Sequence, residues 1–348
     1  NDANGSVAWA PKRMDLFTIP SASAPEALPW SQMLSIHEQR HVTQMQFALG
    51  GNLGWGNYVF GEMWNILWSL VYPDISAMEG DCVTMETALS KSGRGRSADF
   101  LNYLRVAFDN GDFRKSHHWY CNQQRRYIPS YYALGYIKVA GMRALYDYPE
   151  YMSDVYHLAA RNPIRFDAMD KVTKDRSGKK PEKLFMEICD SLHAFWKADD
   201  LLRAPFTASE QVVQTPRLYA EYEGNCAVGN DIYAIKNSFE KPYELVKISE
   251  DGTEQVLGQF SWISSGLQYD LGKQRLYWSE KVSDERWSLE TKSVVKYMDW
   301  TKGSKKTIHK GDLSFNPSAP DENGLIPVVE YFPKGGSALN LISDENGE

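Results

Sequence analysis

Apolar residues recur at helical spacing through most of the chain up to about residue 205. The clearest helix is predicted at Trp30–Ala48, which is followed by two glycines that can end it. Further helices are predicted at 57–71 and 74–91, and Ser97 can cap the next one. Later helical runs are SYYALGYIKVAGMRALYDY, PEYMSDVYHLAA and PEKLFMEICDSLHAFWKADDLL. Residues 1–205 are therefore predicted to form a mainly helical domain.

The pattern changes after Pro205 to short segments of alternating β-branched and aromatic residues, separated by Gly, Asn and Asp. Three such units recur roughly every 45 to 50 residues, a spacing typical of β-propeller blades. Residues 206–348 are predicted to hold about three blades of an incomplete propeller, because propellers close with about four to eight blades. The natural protein is then expected to continue beyond Glu348. The alternative is an unrelated β-sandwich of six or seven strands.

Composition narrows the classes of function. Hydrophobic residues make up 43% of the 348 positions, enough for a sizeable core in a multidomain α + β protein. The net charge is −7 and no basic stripe is present, which excludes nucleic acid as an expected partner. No apolar run is long enough to span a membrane. The four cysteines are far apart and contain no CxxC pair, so a thiolate zinc site is not expected.

The segment SIHEQRHVTQ contains two histidines four residues apart, His37 and His41. On a helix, this spacing places both imidazoles on one face, where they can share one Zn²⁺. Glu38 points to a different side and can take a proton from a water activated by the metal. The histidines belong to a largely apolar stripe that faces inward, formed with Leu34, Met45 and Ala48. The alternative is a pair of core histidines satisfied by local hydrogen bonds.

A catalytic zinc site with two histidines needs a third protein ligand. Glu79 and Glu86 lie two turns apart on the predicted helix at 74–91, so they share one face. Glu79 precedes Gly80, where the missing side chain would allow two helices to approach closely. We predict Glu79 as the zinc ligand and Glu86 as a residue that hydrogen-bonds a ligand histidine. Glu62 is a weaker substitute for Glu79 as the ligand. Glu79 and Glu86 could instead both be solvated helix charges.

A hydroxyl or imidazole donor is needed to stabilise the oxyanion of peptide hydrolysis. Tyr132 is the first candidate, since it lies on a tyrosine-rich predicted helix that also carries Tyr131 and Tyr136. Tyrosines at helical spacing are more often core residues. His117 and His118 are alternatives. Three arginines could pair with Glu86 or Asp81, or bind a substrate carboxylate: Arg40, Arg94 and Arg96.

The motifs HEQRHVTQ, MEGDCVTMET and SGRGR together resemble the gluzincin metallopeptidases. More narrowly, the chain resembles bacterial envelope proteins that join a gluzincin-like domain to a TolB-like propeller, with DLFTIPSASAPEALPW as their lead-in. The resemblance implies Glu79 as the third zinc ligand and a periplasmic, outer-membrane-associated or cell-surface location. The chain departs from the family at DISAMEGDCV, where relatives often carry Trp and small apolar residues and this chain has Asp81.

The leading expectation is a zinc-dependent peptidase that acts on a peptide or protein substrate. His37, His41 and Glu79 would hold zinc, and Glu38 would act as the general base. A second possibility is an inactive envelope scaffold that keeps the zincin fold and binds an envelope protein partner through its propeller. A third is a pseudo-site without metal.

Overall fold

The computed structural model describes residues 4–17, 28–50, 54–69, 74–112, 115–120, 125–162, 164–214, 216–263, 265–287, 291–311, 314–331 and 336–345. The chain begins with a hairpin of strands β1 (Gly5–Ala8) and β2 (Arg13–Leu16). Helices follow: α1 (Trp30–Ala48), α2 (Gly54–Phe60), α3 (Met63–Ser69), α4 (Ile75–Leu89), α5 (Ala98–Asp109), α6 (Ser116–Tyr120), α7 (Tyr131–Tyr146), α8 (Tyr151–Arg161), α9 (Ala168–Ser177) and α10 (Pro181–Arg203).

The single helix predicted at 57–71 is wrong, because the described part of this segment forms two short helices, α2 and α3. Gly61 separates them in a left-handed backbone conformation, with φ of 63°, which interrupts the helix. Residues 70 and 71, at the predicted end, lie outside the described residues. The helix predicted at 74–91 is α4, whose first turn is capped by the Asp74 side chain accepting from the Ala77 backbone N–H at 2.9 Å.

Helices α4 and α7 are in direct backbone contact at the centre of the helical half. A Cβ added to Gly80 would lie 2.0 Å from the backbone carbon of Gly135, and one added to Gly135 would lie 1.6 Å from the Ser76 carbonyl oxygen. Only glycines allow this approach, so the two positions fix α4 against α7. The surrounding core is aromatic and aliphatic and includes Leu104, Phe108, Trp119, Leu134, Tyr156 and Phe185. This contact holds the helix that carries Glu79 and Glu86 in a rigid position.

The strands that follow α10 form small antiparallel sheets: β3 (Ala220–Val228), β4 (Asp231–Ser238), β5 (Glu244–Ile248), β6 (Glu254–Gln259), β7 (Trp262–Ile263), β8 (Gln268–Asp270), β9 (Arg275–Ser283), β10 (Thr291–Asp299), β11 (Ser304–Gly311), β12 (Ser314–Pro317), β13 (Leu325–Tyr331) and β14 (Ser337–Ser343). Their orders are β3-β4-β5-β6, β11-β10-β9-β7 with β8 also paired to β9, and β12-β13-β14. Buried side chains that include Leu245 and Trp278 pack between the first two sheets.

The prediction of β-propeller blades is wrong. The sheets have four, five and three strands, and among the described residues none is closed into a propeller. The sequence repeat that indicated blades reflects consecutive antiparallel strands joined by tight turns. Any antiparallel meander produces that pattern, because it records the local hairpins and carries no information on how the sheets are arranged around one another.

The described cysteines, Cys82, Cys189 and Cys226, are free and buried. Cys121 lies outside the described residues. Among the helices that the structure describes, none is both long and apolar enough to cross a bilayer.

Candidate metal centre

His37 and His41 on α1 meet Glu79 on α4 at a nearly solvent-free point. The Nε2 atoms of the two histidines are 3.2 Å apart. The Oε2 atom of Glu79 lies 2.9 Å from His37 Nε2 and 3.2 Å from His41 Nε2. Burial alone would raise the pKa of Glu79, but hydrogen bonds from the two histidines lower it to about 2. Glu79 is therefore a carboxylate, and three ligand atoms from two helices form one compact triangle.

The triangle has the dimensions of a zinc site. Nitrogen and oxygen ligands bind tetrahedral zinc at about 2.0–2.1 Å, which places two ligand atoms about 3.3 Å apart. The three observed separations are 2.9, 3.2 and 3.2 Å, so the side chains need to move apart by only a few tenths of an ångström. Two imidazoles and one carboxylate also match the ligand types of catalytic zinc with one open position. The residues present therefore fit this metal.

Cys82 is a rival third ligand beside the same histidines. His37, His41 and Cys82 also form a buried group of suitable size to hold a metal, with the Cys82 Sγ 3.5 and 3.6 Å from the two ring nitrogens of His41. Burial and the nearby carboxylates of Asp81 and Glu79 raise the pKa of Cys82 well above its usual value, which disfavours the thiolate. Glu79 is the better ligand, because its oxygen is already ionised and lies close to both Nε2 atoms.

Glu38 lies beside the triangle and lines the same cavity, which has a volume of about 530 Å³. The side chain is buried, and its Oε2 has no hydrogen-bond partner among the described residues. Burial raises the pKa of Glu38, and the positive charge of His37 and His41 opposes the rise. A carboxylate whose pKa is raised toward neutral pH is suited to general-base chemistry.

Strand β1 comes close to the Glu38 carboxylate at Gly5. A Cβ added at this glycine would lie 2.5 Å from Glu38 Oε1 and 2.7 Å from a methyl carbon of Leu34. The glycine therefore provides the room that the buried carboxylate occupies.

Glu86 holds the opposite nitrogen of His37. The His37 Nδ1 donates to Glu86 Oε1 at 2.7 Å, and Arg94 donates to both carboxylate oxygens at 2.5 and 3.0 Å. Burial would raise the pKa of Glu86, but hydrogen bonds from His37 and Arg94 lower it. Because a carboxylate only accepts, Nδ1 carries a hydrogen, which leaves Nε2 as the nitrogen that can bind a metal. The structure thus places Glu86 in the supporting position predicted for it.

Gln44 supports His41 in the same way, and sequence reasoning missed it. The Gln44 Nε2 donates to Asp81 Oδ2 at 2.9 Å and to the Met78 carbonyl at 3.0 Å, while Gln44 Oε1 lies 2.9 Å from His41 Nδ1. Both partners of Nε2 are pure acceptors, so the amide orientation is fixed and its oxygen must accept from His41. His41 Nε2 is then the nitrogen that faces the triangle and can bind a metal. The available signal was the spacing, because Gln44 is three residues after His41 on the same helix face.

Two of the predicted arginine pairings are present. Arg40 donates from Nε to Asp81 Oδ2 at 2.8 Å, which supports the carboxylate that holds Gln44. Arg94 pairs with Glu86 as described above. Arg96 instead donates to the backbone carbonyls of Thr87 and Ser92. Asp81, whose acidic character departed from the family pattern, is therefore a fully buried supporting residue rather than a ligand in the triangle.

Tyr132 lines the cavity of the metal centre. Its ring centroid is 6.1 Å from that of His37, and the guanidinium carbon of Arg94 lies 4.9 Å from the ring centroid. Burial, together with the negative charge of Glu79, raises the pKa of Tyr132, so the hydroxyl keeps its proton and can donate it in a hydrogen bond. Tyr136 packs instead against Phe100, and Tyr131 is partly exposed.

The remaining candidates lie away from the triangle. Glu62 accepts from the Lys12 backbone N–H at 2.9 Å and does not line the cavity. His117 and His118 form a contact with each other on α6, with ring centroids 4.1 Å apart, and do not line it either.

Comparison of the chain with models of known protein families gave no match, and comparison with curated proteins gave none either. The resemblance to gluzincin peptidases stays a prediction, as does the envelope location that it implies. Fold and site together define a helical domain with a buried pair of histidines and a glutamate, followed by small antiparallel sheets.

Proposed function

We propose that this protein is a zinc-dependent peptidase. The observation that carries the proposal is the convergence of His37, His41 and Glu79 at 2.9 to 3.2 Å, with the unpartnered Glu38 carboxylate beside them. Each ligand histidine is also fixed through its Nδ1, by Glu86 for His37 and by Gln44 for His41. Such outer hydrogen bonds set the tautomer and the orientation of ligating histidines.

Zinc bound at the triangle would act as a Lewis acid and lower the pKa of a water at its open position. Glu38 Oε2 would take a proton from that water and later deliver it to the leaving amine of the cleaved peptide bond. The Tyr132 hydroxyl, which stays protonated, would donate a hydrogen bond to the oxyanion that develops on the peptide carbonyl. Glu86, Gln44 and Asp81 would take no part in proton transfer and would only hold the histidines.

The alternative of an inactive scaffold has less support than it had from sequence. It relied on a propeller surface to bind a partner, and the three small sheets do not form one over the residues that the structure describes. It also leaves the unpartnered oxygen of Glu38 without a purpose, although burying such an atom costs stability.

Removing the metal is expected to stop peptide cleavage reversibly. Purified protein would be incubated with a complex peptide library, and the products identified by mass spectrometry. Cleavage should disappear after treatment with 1,10-phenanthroline and dialysis, and should return with one equivalent of Zn²⁺. Cleavage that persists without metal, or a complete lack of cleavage in the zinc-loaded protein, would contradict the proposal.

A further inference from the structure

A second cavity, of about 300 Å³, lies next to the cavity of the metal centre. The two share Val7, Trp9 and Met45 in their walls. The second cavity extends further along α1, where Val42 and Leu49 contribute apolar side chains. A ligand that occupies the metal centre could therefore extend into this space along the same helix.

Asn65 of α3 is part of the wall of this second cavity. Its side chain is 1% exposed, and neither Oδ1 nor Nδ2 has a hydrogen-bond partner within the part of the chain that the structure describes. The other polar residues of the wall, Lys12, Arg13 and Gln46, are exposed. A buried amide without partners destabilises the folded protein, so an Asn at this position needs a purpose beyond packing.

We infer that this cavity is a substrate subsite, in which Asn65 pairs with a peptide group of an extended substrate. A carboxamide offers a donor and an acceptor side by side, which is what the N–H and C=O of a peptide backbone require. The apolar walls would hold the side chain of the same stretch of substrate. This inference rests on the proposed peptidase function, and it adds a substrate class: peptides with an apolar residue at a set distance from the cleaved bond.

The helix gives that distance. An α-helix rises about 1.5 Å per residue, so Gln46 and Leu49 lie about 8 and 12 Å along the axis from His41. An extended peptide spans about 3.3 Å per residue, so this separation corresponds to two to four substrate residues. The apolar residue is therefore expected two to four positions from the cleaved bond, on one side of it.

The test uses a blocked tripeptide, acetyl-alanyl-leucyl-alanine amide, as the probe. Binding is measured by NMR titration of the Glu38→Gln protein with its metal removed, so that neither zinc nor turnover contributes. The probe is expected to bind saturably and to shift both side-chain amide protons of Asn65. Asn65→Leu should weaken binding at least about tenfold, because the peptide group loses its partners. The same substitution should raise the thermal midpoint, because it removes the unpaired amide.

Two further variants make the result specific. Asn57→Leu is the matched control, since Asn57 lies on the neighbouring α2 and also has an unpartnered buried oxygen, but is not part of the wall. It should leave the affinity for the probe unchanged. Asn65→Asp keeps the size and the acceptor but loses the donor, so it should also weaken binding of the probe. This variant carries the test if Asn65→Leu proves to be misfolded.

The subsite is overturned if the probe does not bind or if the probe leaves the Asn65 amide protons unshifted. It is also overturned if both Asn65 variants bind the probe as well as the metal-free Glu38→Gln protein that retains Asn65. A failure of zinc-dependent cleavage is a separate result. It would overturn the proposed peptidase and leave this binding measurement as it stands.

Discussion

Glu38→Gln is expected to lower kcat for peptide cleavage by about 10²- to 10⁴-fold, the usual contribution of a general base. Glutamine has the size of glutamate, so it fits the same space beside Gly5. Its amide cannot take the proton from water, and no other carboxylate with an unpartnered oxygen lines the cavity within the described residues. Zinc content should stay at one ion per chain, because none of the three ligand atoms belongs to Glu38.

The matched control is Gln39→Ala, which changes the neighbouring residue on the exposed side of α1 and should alter neither cleavage nor zinc content. Two results would contradict the role of Glu38 as the general base. Cleavage at the parental rate by Glu38→Gln would remove Glu38 from the mechanism, and loss of zinc would make it a ligand. If the parent protein cleaves nothing and both proteins bind a partner equally, the inactive scaffold is favoured.

Gln44→Leu is expected to raise the Kd for zinc by about 10- to 100-fold, the usual cost of losing a residue that orients a ligand histidine. Leucine fills the space but cannot accept from His41 Nδ1, so Nδ1 is no longer held as the donor that faces away from the triangle. The Kd would be measured by competition with a chromophoric zinc chelator. The metal-free proteins would also be compared by ¹⁵N NMR of the His41 ring.

The NMR comparison separates an orienting role from a general loss of stability. The parent is expected to show His41 protonated at Nδ1. Gln44→Leu should instead show a mixture of two tautomers, one with the hydrogen on Nδ1 and one with the hydrogen on Nε2. Gln39→Leu, at an exposed position on the same helix, serves as the control and should match the parent in both measurements. An unchanged Kd together with an unchanged tautomer would contradict the role assigned to Gln44.

The metal triangle was predictable because it depends on local spacing. The four-residue interval between His37 and His41 fixes their relative position on any helix. Glu79 was accessible through Gly80, whose missing side chain does permit close contact between helices, although the observed partner is Gly135 of α7. Such signals are contained in short stretches of sequence, so they can be recognised without knowledge of the tertiary structure.

The support of His41 and the arrangement of the sheets could not be obtained in this way. The contact between Gln44 and Asp81 joins α1 to α4 across 37 residues of sequence, and it exists only once the helices are packed. The position of β1 against Glu38 is equally nonlocal, and residues 18–27 of the lead-in segment lie outside the described residues. In the sheets, local hairpins were visible, but closure depends on contacts between sheets that no local pattern encodes.

The proposed set of metal ligands is most directly tested by X-ray absorption at the zinc edge of the zinc-loaded protein. One zinc per chain is expected, with nitrogen and oxygen ligands only, at about 2.0–2.1 Å, from His37, His41, Glu79 and solvent. A sulfur ligand at about 2.3 Å would instead identify Cys82 as the third ligand. That result, or a protein that retains no zinc, would contradict the proposed centre.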